Sequence, residues 1–305
     1  MESVNISVSE ISRELGFEVL EPGAGSICFR THEISRPGLQ FTGFYAKFSA
    51  KRVQLIGNAE MYYLYSLSEN ELRERMDHFM GLHPPCIVCA RDNRPPEILL
   101  ESARKYGVCV LRTHHDTDTA GHIISSLLQV RLAPRILLHG ELMDVYGVGV
   151  LIRGESGSGK SETALELIRS GHRIVADDVV EVSKVGDRLV GKAPDLTRHI
   201  MDVRGIGLID LRYLYGMGAI LPEKDIDFII DLEPFEDYIK ANHPESGTTD
   251  ILGIGVKTAV LPVSPGRNVA VVIEVAVRNF RLKQLGYDGG HYFSNIANNI
   301  PGGGK

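Results

Sequence analysis

The sequence predicts an α/β protein in two parts: an N-terminal α/β domain over residues 1–132 and a second domain over residues 133–305 built on a phosphate-binding loop. Three observations carry this. Residues 86–111 run strand, helix, strand, the unit from which parallel sheets are made. Residues 148–170 run strand, glycine-rich loop, helix, and the loop fits GxxxxGK(S/T) at every fixed position. Between them a helical stretch at about 119–132 stops before Pro134, whose ring disfavours helical backbone in the preceding residue.

Taken in order, Ser7-Val8-Ser9-Glu10 has capping-box spacing and opens a short helix that stops at Gly16. The segments "GLQFTGF" (38–44) and "RVQLIGNAEMYYL" (52–64) read as turn-bounded strands. Ser68 and Glu71 repeat the capping spacing before "LRERMDHFM", where Leu72, Met76 and Phe79 share one helical face and read as core. "CIVCA" (86–90) is a strand, "PPEILLESARKYG" (95–107) a helix, and "VCVL" (108–111) the next strand. His78, His83, Cys86 and Cys89 invite a zinc reading. Residues three apart on a strand point to opposite faces, however, so the two sulfurs diverge, and no second CxxC completes a tetrahedral set. Buried, inert thiols are expected instead.

Composition narrows the function classes. The 305 residues are 43% hydrophobic and 24% charged, which suits an ordinary globular core. A formal charge of -6 argues against nonspecific nucleic-acid binding, which needs a basic face. No run of 18 or more apolar residues occurs, so no membrane span is expected. The opening "MESVNISVSEISREL" lacks the basic-then-apolar layout of a secretion signal, and four cysteines make no disulfide framework. A cytoplasmic location is expected.

The second domain opens with "RILLHGELMDVYGVGVLIRG" (135–154). The strand "VGVLI" (148–152) leads into Gly154-Glu155-Ser156-Gly157-Ser158-Gly159-Lys160-Ser161, and the helix "SETALELIRS" follows, closed by Gly171. Glycines at such positions let successive backbone N–H groups turn toward the phosphates of a nucleotide, and the positive end of the helix dipole adds to them. Lys160 supplies a mobile positive charge for the transferring phosphoryl, and the Ser161 hydroxyl can ligate Mg²⁺.

Two further polar clusters belong to the same chemistry. Asp177 and Asp178 sit in the strand "RIVADDVVEV" (173–182), where neighbouring residues face opposite ways. One carboxylate can approach the metal shell while the other accepts a proton from an incoming hydroxyl. In "HIMDVRGIGLIDL" (199–211), Asp202 and Arg204 share one side of an extended segment and can serve metal and phosphate respectively.

These residues carry a family resemblance. "GESGSGKSETALELIRSGHRIVADD", "DVRGIGLIDLRYLYGMGA" and "PVSPGRNVAVVIEVAVRNFRLKQLGY" strongly resemble HPr kinase/phosphorylase, and so does "ISRPGLQFTGFYAKFSAKRVQLIGNAE" in the first domain. The resemblance implies a P-loop kinase domain similar to that of phosphoenolpyruvate carboxykinase, and a hexamer. It implies that ATP, or pyrophosphate, is the donor and that a serine of the bacterial phosphocarrier HPr is the acceptor, in the regulation of carbon metabolism. It also implies the reverse phosphorolysis, in which phosphate takes the seryl phosphoryl group and leaves as pyrophosphate. The family's loop falls on Gly154 to Ser161, its catalytic aspartate on Asp178 with Asp177 in support, and its active-site histidine on His139.

Three positions depart from the family's pattern. Asp202 stands where a metal-binding glutamate is usual, one methylene shorter. Lys240 in "EDYIKANHPESG" is the nearest placement for an arginine, without its bidentate geometry. Ser264 replaces a basic residue beside Arg267 in "PVSPGRN", a segment linked to the dephosphorylation direction. From the residues alone two other readings stay open. One is a kinase for a small hydroxyl metabolite, with an enclosed acceptor pocket. The other is a nucleotide-dependent switch, since "DVRG" matches DxxG, although no NKxD accompanies it.

Overall fold

Residues 3–241, 247–264, 266 and 268–287 are described in the computed structural model. The chain divides into two compact units, Met1–Ala133 and Pro134–Lys305.

In the first unit a five-stranded sheet runs in the order Glu18–Glu21, Cys109–Arg112, Cys86–Cys89, Val53–Ile56, Ile34–Ser35. Its inner pairs are parallel, and Glu18–Glu21 is antiparallel to its neighbour. Strands covered on both faces are apolar at almost every position, and the side chains alternate between two cores. Leu55, Cys86, Val88 and Leu111 face Ile124 and Leu128 of the helix Thr117–Arg131. Ile56, Ile87, Cys89 and Val110 face Met76 and Phe79 of the helix Glu69–Met80 and Leu99 of the helix Glu97–Tyr106. Cys86 and Cys89 thus lie in different cores, with their sulfurs on opposite sides of the sheet.

Two segments of this unit differ from the sequence expectation. "GLQFTGF" is a short helix, Gly38–Phe41, not a strand. An alternating strand would bury Leu39 together with Phe41. Instead Leu39 is exposed, and Phe41 alone enters the core, edge-on to Phe79 at 5.0 Å between ring centres. "RVQLIGNAEMYYL" is a strand only as far as Ile56. Gly57 then caps the helix Asn58–Ser66, with the Glu60 carboxylate accepting its N–H at 3.0 Å. Met61 and Leu64, at helical spacing, go inward.

In the second unit a six-stranded sheet runs Arg173–Ala176, Glu141–Val145, Val148–Gly154, Phe228–Pro234, Ile254–Val263, Gly247–Ile251. The third, fourth and fifth are mutually parallel, so their C-terminal ends share one edge. Glu141–Val145 is antiparallel to both of its neighbours, which brings its first residue and the end of Arg173–Ala176 to that same edge. One face of the sheet buries Val150 and Ile152 against Leu167 of the helix Lys160–Arg169 and Ile273 of the helix Val269–Gln284. On the other face Leu142 and Leu151 share a core with Val180, Val182 and Leu189. Those three come from a four-stranded antiparallel sheet ordered Glu223–Asp225, Arg188–Lys192, Val179–Val185, Arg135–His139. The layers meet closely at Gly191, where a Cβ would lie 2.4 Å from the Leu142 Cδ2.

"RIVADDVVEV" is two strands rather than one. Arg173–Ala176 belongs to the first sheet and Val179–Val185 to the second, so Asp177 and Asp178 form the corner between layers. Among the described residues no helix is long and apolar enough to cross a membrane.

Candidate active site

The loop grows directly from the strand Val148–Gly154. A salt bridge holds that strand to its parallel neighbour: Arg153 donates two hydrogen bonds to the Asp231 carboxylate, at 2.7 and 2.8 Å. Bidentate geometry of this kind fixes both strands where the chain leaves the sheet. Gly157 and Gly159 have φ of 84° and 86°, a region that side chains with a Cβ rarely enter, and Gly159 caps the helix Lys160–Arg169. The Lys160 Nζ folds back over the loop and donates to the carbonyls of Gly154 and Glu155 at 3.0 and 3.1 Å.

The Ser161 hydroxyl donates to the Glu141 Oε1 at 3.0 Å. Glu141 was absent from the sequence-derived candidates. It opens the strand beside the loop strand, opposite Ile152, and is only 1% exposed. Its second oxygen, Oε2, is buried without a hydrogen-bond partner. Burial, and next the nearby Asp177 charge, push the Glu141 carboxyl well above the usual carboxylate range; the Ser161 hydroxyl and the Lys160 charge oppose this.

Asp177 turns inward at the corner. Its Oδ2 accepts the Asp202 N–H at 3.1 Å, while Oδ1 is buried and unpartnered. Burial raises its carboxyl as well, partly offset by that N–H and by the neighbouring Glu141 carboxyl. Asp178 has the opposite setting. It is exposed, with φ of 59°, and its carbonyl accepts the Gly140 N–H at 2.9 Å. The Val179 N–H reaches back to the Asp177 carbonyl at 2.7 Å, closing a tight turn around Asp178. Next to this corner His139 ends its strand opposite Val179 and is exposed.

Asp202 and Arg204 lie on a hairpin formed by Ile200–Val203 and Gly207–Asp210. Met201 and Val203 point into the core, leaving Asp202 and Arg204 on the open side. The Arg204 guanidinium reaches the loop: a Cβ added to Gly157 would sit 3.8 Å from its Nη1. The structure therefore brings the loop, Glu141, Asp177, Asp178, His139, Asp202 and Arg204 to one sheet edge. Lys240, on the helix Phe235–Ala241, is exposed and pairs with Asp237 at 3.5 Å. Arg267 lies outside the described residues.

Among the described residues no three His, Cys, Asp or Glu side chains converge as a ready-made metal cage. Mg²⁺ in nucleotide sites rarely needs one, because phosphates and water complete its octahedron. The donors present are hard oxygens, and the Glu141 carboxylate that accepts from Ser161 keeps a second, buried oxygen without a partner, so the residues fit the ion.

Comparison with known proteins identifies the family. Residues 6–128 match the family model described as HPr Serine kinase N terminus, and residues 130–296 that described as HPr Serine kinase C-terminal domain. The HPr kinase/phosphorylase of Alkaliphilus metalliredigens is 42% identical over 300 residues, covering 95% of this chain and 96% of that protein. That of Clostridium acetobutylicum is 43% identical over 282 residues, covering 91% and 92%. A solved Hpr(Ser) kinase/phosphatase from Coxiella burnetii is 37% identical, covers 52% of this chain and 98% of its own, and superposes with a TM-score of 0.47. With both domain models matched in order and relatives aligned over nearly their full length, the chain belongs to the HPr kinase/phosphorylase family.

Proposed function

We propose that this protein transfers the γ-phosphoryl group of ATP to a serine of HPr and returns it, by phosphorolysis, to inorganic phosphate. The observation that carries this within the family is the setting of Asp178. It is an exposed carboxylate at the corner beside His139, on the sheet edge that bears the loop. An enclosed acceptor pocket would suit a small metabolite, whereas an open corner admits a side chain projecting from another protein. The switch reading is not favoured, because the family match covers both domains and no NKxD is present.

In the forward direction the loop N–H groups and Lys160 hold the β- and γ-phosphates, and Arg204 adds positive charge near Gly157. Ser161 and Asp202 are the proposed holders of Mg²⁺, which supplies neutralisation of the charge on the transferred group. Asp178 takes the proton from the seryl hydroxyl as its oxygen bonds to phosphorus and the bond to the ADP oxygen breaks. In reverse, protonated Asp178 returns that proton to the departing seryl oxygen while a phosphate oxygen attacks, giving serine and pyrophosphate. Asp177, tied to the Asp202 N–H, holds the hairpin against the corner. His139 is proposed to act beside Asp178, and Lys240 and Arg267 to add positive charge at the phosphate end. A hexameric assembly, and pyrophosphate as an alternative donor, are part of the same proposal.

The test is Asp178→Asn with HPr as acceptor. Transfer should fall roughly 10²- to 10⁴-fold, the usual worth of a positioned base, while MgATP still binds. Transfer at the parent rate would remove Asp178 from the reaction.

A further inference from the structure

Glu141 poses a problem that the reaction outlined above leaves unsolved. A carboxylate that is 1% exposed needs partners for both oxygens, since a buried polar group without one costs on the order of 1–3 kcal/mol. One oxygen has the Ser161 hydroxyl; the other has nothing. Facing it, Asp177 is in the same condition, with Oδ2 on the Asp202 N–H and Oδ1 unpartnered. Two carboxyl groups brought together in the interior, each with a vacant oxygen, repel one another unless something positive lies between them.

The geometry points to Glu141 as a metal-holding carboxylate of the nucleotide site, acting with Asp177 on the Mg²⁺ that Ser161 ligates. The inference rests on the reading of the loop as an Mg-nucleotide site. A serine hydroxyl has one hydrogen and two lone pairs. With its hydrogen committed to the Glu141 Oε1 at 3.0 Å, its lone pairs remain for an ion. The unpartnered Oε2 and the Asp177 Oδ1 then face the ion or a water in its shell. The backbone makes this possible. Glu141 begins the strand that pairs with the loop strand at Ile152, so its side chain emerges where the loop turns into its helix. Asp202 is exposed on the open side of its hairpin, so Glu141 approaches the ion from the buried side.

Mn²⁺ in place of Mg²⁺ tests this directly, by paramagnetic resonance titration in the presence of a non-hydrolysable ATP analogue. Glu141→Gln keeps the shape and an acceptor for Ser161 but removes the charge. Mn²⁺ affinity should fall roughly 10- to 100-fold, with metal-free nucleotide affinity unchanged. A variant that binds Mn²⁺ like the parent overturns the role of Glu141. A parent that binds no metal-nucleotide complex overturns the loop reading instead, so the two failures are distinct. If the variant does not fold, Fe²⁺-directed backbone cleavage of the unaltered protein decides the matter. Cuts beside Glu141 and Asp177 support the inference, and cuts confined to the Ser161 and Asp202 segments contradict it.

Discussion

Asp178 combines two properties that conflict in an ordinary surface residue: it is exposed, and its backbone is held at a φ of 59°. Asp tolerates this region better than most residues, but glycine occupies it without cost. The Gly140 N–H on its carbonyl and the tight turn around it keep the strain in place. Such strain persists where the surrounding structure over-determines it, which is frequent at functional sites. Asp178→Gly should therefore raise stability by about 0.5–1 kcal/mol, seen as a higher Tm, while abolishing phosphoryl transfer. A Tm that falls would show the corner to be unstrained. The Asp177–Asp178 pair was legible as two neighbouring acids. The turn was not, because nothing local announces that the chain changes sheets there. Glu141 was illegible for a related reason: its neighbour Ile152 is set by strand pairing, not by sequence spacing.

Among the elements, those with a chemical start or stop signal were readable. Ser7 and Ser68 accept N–H groups three residues on, and Gly16 and Gly107 close their helices at φ of 68°. "GLQFTGF" carried apolar residues without such signals, and the core's need for Phe41 alone decided its shape. The strand Cys86–Cys89 was readable because two-residue periodicity separates its sulfurs. Burial holds the Cys89 and Cys109 thiols up at about 12 and the Cys86 thiol well above its ordinary value. Alkylation needs the thiolate and access to it. Iodoacetamide at mildly alkaline pH should thus modify only the exposed Cys28 in the native protein. Mass spectrometry should find Cys86, Cys89 and Cys109 labelled only after unfolding. Rapid native labelling of Cys86 or Cys89 would contradict the two-core arrangement.

At the scale of the whole molecule, each unit closes its own cores, and every placed site residue comes from the second. Parallel pairing of the strands ending at Gly154, Pro234 and Val263 creates the edge, and antiparallel pairing delivers Glu141 and the Asp177–Asp178 corner to it. The loop was readable because its chemistry is local; the edge around it is a property of strand order. Ser264, just beyond Val263, offers no positive charge to a phosphate, so the reverse direction should run more slowly than the forward one. The most direct measurement follows phosphorus by NMR through one cycle: HPr, ATP and Mg²⁺ with this protein, then an excess of phosphate. Phosphoserine should appear on HPr and then be consumed as pyrophosphate forms. ATP consumed with no phosphoserine on HPr would contradict the account.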